Sequence, residues 1–288
     1  MAFTLKATGS IRRRLVRLVR RQLQLGEAHL REGRPSGVFE ARKNLKKARA
    51  VVALLDEADV PSVRKDNDRL RDVGHVLAVL RDADAVVATF DTLRSHFRKR
   101  LPEHTYAMLR RSLVQAKARA SREMKFGLTR AARSMRKVRA HAGHWRVPPI
   151  EARDLTKLIE PGFRASRKAM RRAQEEMTPA DLHRWRRRLK THWYQLRLLQ
   201  GLQPSLSRRI LEFKRLETWL GEDHNLSLLQ AVIAKDDDVA RRVPGAVSEI
   251  SAMCAAEQAR LRKKAFASGR RLLRAKAKAS THHLRHGL

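Results

Sequence analysis

Leu182-His183-Arg184-Trp185-Arg186-Arg187-Arg188-Leu189-Lys190-Thr191-His192-Trp193-Tyr194-Gln195-Leu196-Arg197-Leu198-Leu199 is the most informative run in this 288-residue chain. Gly and Pro are absent from it, and Leu182, Trp185, Leu189, Leu196 and Leu199 share one helical face. His183, Arg186, Lys190 and Arg197 fall on a strip beside that face. A related run lies in the first half: Val38-Phe39-Glu40-Ala41-Arg42-Lys43-Asn44-Leu45-Lys46-Lys47-Ala48-Arg49, then Ala50 to Leu55. Aligning Phe39 with His183 sets Arg42 against Arg186, Lys43 against Arg187, Leu45 against Leu189 and Lys46 against Lys190. Here Val38, Ala41, Leu45, Ala48, Val52 and Leu55 make the apolar stripe, with Arg42, Lys46 and Arg49 beside it. Two such helices half a chain apart predict a duplicated module with two cationic faces.

Working outward, nearly every segment has helical periodicity and none sustains strand alternation. Ser10 is placed to cap a first helix through Leu25, and Gly33-Arg34-Pro35-Ser36 breaks it. Further helices are expected from Gly37 to Leu55, from Val60-Pro61-Ser62 to near Leu80, and from Asp82–Asp84 towards Lys99. Pro102 opens a long basic stretch to about Ala142, with a candidate break at Gly127. Gly143 to Pro149 reads as the main linker. After it come a helix carrying Arg164, Arg167, Lys168, Arg171 and Arg172, then the His183 helix. Helices over Ser205–Leu220 and Asp223–Ala234 and a long one after Pro244 complete the pattern. The expected fold is all-α: two tandem antiparallel four-helix bundles with a pseudo-twofold internal repeat. Residues 1–145 form the first bundle, 146–270 the second, and 271–288 a basic disordered tail.

Charge narrows the function. Lys and Arg number 65 against 29 Asp and Glu, a formal charge of +36, which calls for a polyanionic partner. The two signs are segregated. Leu93 to Val147 holds sixteen Lys or Arg and two acids, and Ile11 to Leu25 holds six Arg and no acid. A face shaped only for solubility would mix signs. Aromatic residues are 5%, too few for a base-stacking platform. Arg presents two-pronged donors and Lys a point charge, and both suit phosphate oxygens. The single cysteine, Cys254, leaves no intrachain disulfide or thiolate zinc site and fits a reducing compartment. No run of 18 apolar residues occurs, and Met1 to Ser10 lacks a signal-peptide pattern, so the expectation is a cytoplasmic chain.

The histidines have an ordinary reading too. A His beside an apolar seam usually serves the core, although His183 is also placed to donate to a phosphate oxygen. His183 and His192 lack the spacing of a metal pair. Glu222-Asp223-His224-Asn225 reads first as a helix cap, as does Arg81-Asp82-Ala83-Asp84, which has no His. Gly-rich phosphate loops, nucleophile elbows and paired acids at defined spacing are all missing, so binding without catalysis is expected, with no cofactor or metal.

These features together resemble the CHAD family, helical domains named for their histidines. The resemblance rests on His183-x-x-Arg186-Arg187-x-Leu189-Lys190 followed by Trp193-Tyr194, and on Phe163-Arg164-x-x-Arg167-Lys168. It rests also on the turns Leu220-Gly221-Glu222-Asp223-His224-Asn225-Leu226 and Leu80-Arg81-Asp82-Ala83-Asp84-Ala85-Val86. It spans about Ser10 to Arg270. It implies two four-helix bundles with a basic channel along their contact, and inorganic polyphosphate as the partner. The implied contacts are Arg42, Lys43, Lys46, Arg49, His183, Arg186, Arg187 and Lys190, with Arg13, Arg17, Arg20, Arg164, Arg167 and Arg171 beside them. Phe39 stands where the family usually has His. Placement on polyphosphate granules would follow, and nucleic acid is the alternative polyanion.

Overall fold

The computed structural model describes residues 3–6, 9–33, 36–97, 100–236, 241 and 243–274. Among these residues the chain forms nine α-helices and no strand. They are α1 (Ile11–Arg31), α2 (Gly37–Glu57), α3 (Pro61–His96), α4 (Glu103–Glu123), α5 (Lys125–His141), α6 (Ala152–Glu176), α7 (Pro179–Leu199), α8 (Ser207–Ile233) and α9 (Pro244–Leu272). The all-α expectation holds. Residues 275–288, most of the expected tail, lie outside the described residues, whereas Arg271 and Leu272 are helical.

Helix starts follow local chemistry. The Ser10 side chain accepts from Arg13 N, as expected, and Thr178 accepts from Asp181 N ahead of Pro179. Glu151 and Asp154 form a capping box at α6. Two expected breaks are absent. The Asp82–Asp84 and Glu222–Asn225 runs do not cap new helices but lie inside the single helices α3 and α8. Neither run contains a Pro, so the helix continues. The acids bond across to neighbours instead, Asp84 to Lys117 at 2.7 Å and Asp223 to Arg262 at 2.6 Å. The break expected at Gly127 falls at Met124.

In the first half α1 packs on α2 and α5, and α3 on α2, α4 and α5. In the second, α7 lies between α6 and α8, and α9 packs on α8. The halves join where α2 meets α7 and α3 meets α8. The apolar core does not divide at the linker. The larger cluster unites Leu15, Leu45 and Leu77 with Phe163, Trp185 and Phe213, and the smaller unites Phe90 and Leu109 with Leu229 and Ile250. Because α3 and α8 run unbroken, each contributes to both clusters.

Two short segments lock this arrangement. Leu5 N donates to Leu198 O at 2.8 Å, laying the N-terminal segment along the end of α7. A side chain at Gly201 would collide with Leu5 O, so the glycine permits that approach. In the linker, Trp145 Nε1 donates to the buried Asp66 carboxylate at 3.0 Å. His141 Nδ1 lies 2.5 Å from the same oxygen, and Arg69 donates to the other. Asp66 thereby ties α3 to the end of α5 and to the linker.

Asp66→Ala should leave the buried Trp145 N–H without an acceptor and cost about 2–3 kcal/mol. Urea denaturation would show this as a lower midpoint with helical circular dichroism retained. An unchanged midpoint would show that the network contributes nothing.

Candidate polyanion-binding groove

The cations that the sequence places beside two separate seams meet across the α2–α7 contact. Arg42, Lys46 and Arg49 come from α2, and His183, Arg186, Arg187 and Lys190 from α7. Arg81 and Asp82 of α3 and Glu217 and His224 of α8 close the sides. Arg42 Nη1 donates to Gly74 O of α3 at 3.3 Å. Arg186 lies against α8 in a similar way, and a Cβ at Gly221 would stand 3.1 Å from its Nη2. Arg49 Nε reaches Asn67 Oδ1 at 3.4 Å.

Glu217 is the anion that holds the α7 cations in place. Its carboxylate takes Lys190 Nζ at 2.5 Å, Arg186 Nη2 at 3.2 Å and Lys214 Nζ at 2.9 Å. The Arg186 and Lys190 side chains are only 16% and 18% exposed, and Glu217 3%. Burial alone would raise the Glu217 carboxyl, but Lys190, Arg186 and Lys214 outweigh it and hold it at about 2.

The remaining cations are under electrostatic stress. Burial lowers the Lys46 ammonium well below the usual lysine value, and Lys190, Arg42 and Arg186 lower it further. Lys190 is brought down to about 8, chiefly by burial, with Glu217 partly opposing and Arg186 adding to the fall. Arg42, Arg49 and Arg81 are lowered from the same first cause. The Arg81 guanidinium faces Asp82, whose carboxyl burial raises. Cations outnumber the carboxylates Asp82 and Glu217. Among the described residues Arg42 Nε and Arg186 Nε meet no acceptor and His183 Nδ1 has no hydrogen-bond partner, although all three atoms are buried. Unmet buried donors among crowded cations make a strong anion receptor.

His183 and His224 lie against each other with ring centroids 4.1 Å apart and ring planes tilted by 40°. Burial and then the surrounding cations push His183 down to about 4, and burial with His183 itself pushes His224 to about 3. Both rings are therefore neutral at pH 7. Phe39, aligned with His183, is 51% exposed and has no comparable place.

Other expected residues stay apart. Lys43 is exposed and pairs with Glu40 at 3.0 Å. Arg13, Arg17 and Arg20 are exposed on α1, which packs mainly on α2 and α5. Arg164, Arg167 and Arg171 line a separate hollow of about 670 Å³ on α6, bounded also by Glu175 and Glu176. The residues missed by sequence were Arg81, Asp82, Glu217 and His224. Glu217 carried a readable signal: it is an acid in the apolar series Phe213, Leu216, Leu220.

Residues 14–234 match the CHAD domain family, more than half of the chain. The chain belongs to the CHAD family. The structure of a CHAD domain from the plant Ricinus communis is similar to this CHAD chain at 19% identity and a TM-score of 0.66. The match covers 96% of this chain and 95% of that one. PptA from Streptomyces chartreusis is similar at 17% identity and a TM-score of 0.66, covering 93% of this chain and 100% of its own. At these identities the likeness shows the CHAD fold alone. No curated protein matches the chain. Among the described residues no helix of this CHAD domain is long and apolar enough to cross a membrane.

The stress on Lys46 has a measurable sign. Lys46→Met removes a buried like charge while keeping most of the packing volume, and should stabilise the fold by about 1–2 kcal/mol. Thermal unfolding at low salt reads this as a higher Tm. A clear fall in Tm would mean that Lys46 is a structural ion-pair partner and not a stressed receptor group.

Proposed function

We propose that this CHAD chain binds inorganic polyphosphate in the α2–α7 groove without hydrolysing it, and through that contact sits on polyphosphate granules. The observation that carries this reading is the convergence of Arg42, Lys46, Arg49, Arg186, Arg187 and Lys190 on one groove in which, among the described residues, Arg42 Nε and Arg186 Nε meet no acceptor. A repeating polyanion relieves all of these repulsions at once, whereas a single phosphate meets only a few. Neutral His183 is suited to donate one hydrogen bond to a phosphate oxygen. The groove's chemistry favours holding over turnover. Glu217 is committed to three cations and held at about 2, which makes it a poor proton acceptor.

Competition between labelled long-chain polyphosphate and duplex DNA at about 0.15 M salt tests the partner. Polyphosphate should displace DNA, and orthophosphate should not accumulate. Replacing Arg42 and Arg186 by Gln should weaken polyphosphate binding by at least about tenfold per site, since each lost charge-assisted contact costs about 1.5–3 kcal/mol. The same change at the exposed Arg208 and Arg215 should have little effect. DNA bound as tightly as polyphosphate, or equal losses from the two pairs, would reject the groove.

Proton linkage gives an independent check. Phosphate oxygens beside Lys190 raise its pKa above the free value of about 8, so binding takes up a proton. Affinity is then full below pH 8 and falls as pH rises through that value towards the bound one. The fall is by up to about tenfold per pH unit for each proton taken up. Lys46 adds to the same slope. Lys190→Arg should flatten the decline, because a guanidinium does not titrate there. A flat profile for the unaltered chain from pH 7 to about 10 would contradict this linkage.

A further inference from the structure

The α4–α5 hairpin carries cations that the groove does not use. The helix α4 buries only Thr105, Leu109 and Leu113, and from Val114 to Glu123 it has no buried residue. The side of α4 opposite that stripe presents Arg111 and Arg122, with Lys125 close by at the start of α5. The helix α5 buries Ala131, Ala132, Met135 and Val138, and its opposite side presents Arg130, Arg133 and Lys137. All six cations are exposed. Among the described residues none of them meets a carboxylate, although Arg110 and Lys117 on the inner side of α4 pair with Asp91 and Asp84. The packing thus sorts these cations into a paired set, Arg110 and Lys117 on α3 and Arg139 on Glu27 of α1, and an outer set that among the described residues has no carboxylate partner. Arg130, Arg133 and Lys137 follow one another at three- and four-residue steps, about 5–6 Å apart on the helix surface. This outer face turns away from the groove. The helix α5 packs on α1 and α3, and those two helices stand between it and α2.

We propose that the outer face of the α4–α5 hairpin is a second polyphosphate-binding surface, so that one chain bridges two polymer segments. This rests on the groove reading, since bridging requires the first site. The two surfaces differ in kind. Groove cations are desolvated and few contacts suffice, whereas hairpin cations are hydrated, screened by salt and individually weak. The second surface is therefore the weaker one, and needs a long polymer that engages several cations together. A protein with one site only decorates a polymer. A protein with two on opposed faces links polymers into a network, which condenses.

The test uses the full chain with long-chain polyphosphate, read by light scattering, and with a short oligophosphate, read by calorimetry. The unaltered chain should condense the long polymer. Arg130→Glu with Arg133→Glu and Lys137→Glu should raise the protein concentration needed by at least about tenfold, while short-chain affinity changes by less than about twofold. Arg208→Glu with Arg215→Glu and Lys264→Glu alters net charge equally on exposed sites elsewhere, and should shift the threshold far less. No condensation by the unaltered chain overturns the proposal. So does an equal shift from the two triple variants, which would mean diffuse charge. If the hairpin variant loses duplex DNA binding yet still condenses polyphosphate, the face serves nucleic acid and the proposal fails. Circular dichroism checks helicity, and the matching Gln triple gives the same ordering if the glutamates loosen α5. Failure of the groove reading looks different: the short oligophosphate would then not bind, or would bind equally well after Arg42→Gln with Arg186→Gln.

Discussion

A single buried carboxylate makes the groove possible. Without Glu217, Arg186 and Lys190 would face Lys46 and Arg42 at low solvent exposure with only Asp82 to offset their repulsion. Buried like charges are tolerated only when something balances them in part. Full balance would make an inert ion-pair cluster, and no balance would push α2 and α7 apart. Glu217 sets the chain between those limits. It pairs with Arg186 and Lys190 of α7, while among the described residues Arg42, Lys46 and Arg49 of α2 have no salt bridge, so the site keeps an excess of positive charge without losing the helix contact that creates it.

Much of this was legible in the chain itself. Periodicity gave the helices, because apolar stripes at helical spacing are needed wherever a helix buries one side. The spacing set Arg42, Lys46 and Arg49 on one strip of α2 and Arg186 and Lys190 on one strip of α7, because position around a helix follows from spacing alone. Three kinds of feature were hidden. Asp82 and Asp223 were read as caps because an acid at a helix start and an acid reaching a neighbouring helix look identical in sequence. Glu217 and His224 belong to the site through packing of α8 on α7; the acid among Phe213, Leu216 and Leu220 marks a buried carboxylate, but no local pattern names its partners. Arg13, Arg17 and Arg20 were set beside the groove by the family resemblance, and the structure puts them on an exposed side of α1.

The cores follow the long helices and not the order of the chain. An uninterrupted α3 and an uninterrupted α8 each pass from the larger cluster into the smaller one. The groove lies over the larger cluster, where Trp185 and Leu189 from α7 anchor the helix that carries the basic strip. Its geometry therefore depends on packing from both halves, and a fragment ending at the linker would lack one wall.

That dependence sets the loops the chain must close. Contacts within the α7–α8 pair span short loops, as in Arg186 with Glu217, 31 residues apart. The α2–α7 contact joins residues such as Gln195 and Ala50, separated by 145 positions. Distant pairings carry the larger loop-closure entropy. The shorter loop joins the carboxylate to its α7 partners, and the longer one brings the cations of α2 against them. The contact with the greater closure cost is thus also the one that sets cation against cation, and Glu217 lowers the charge it meets.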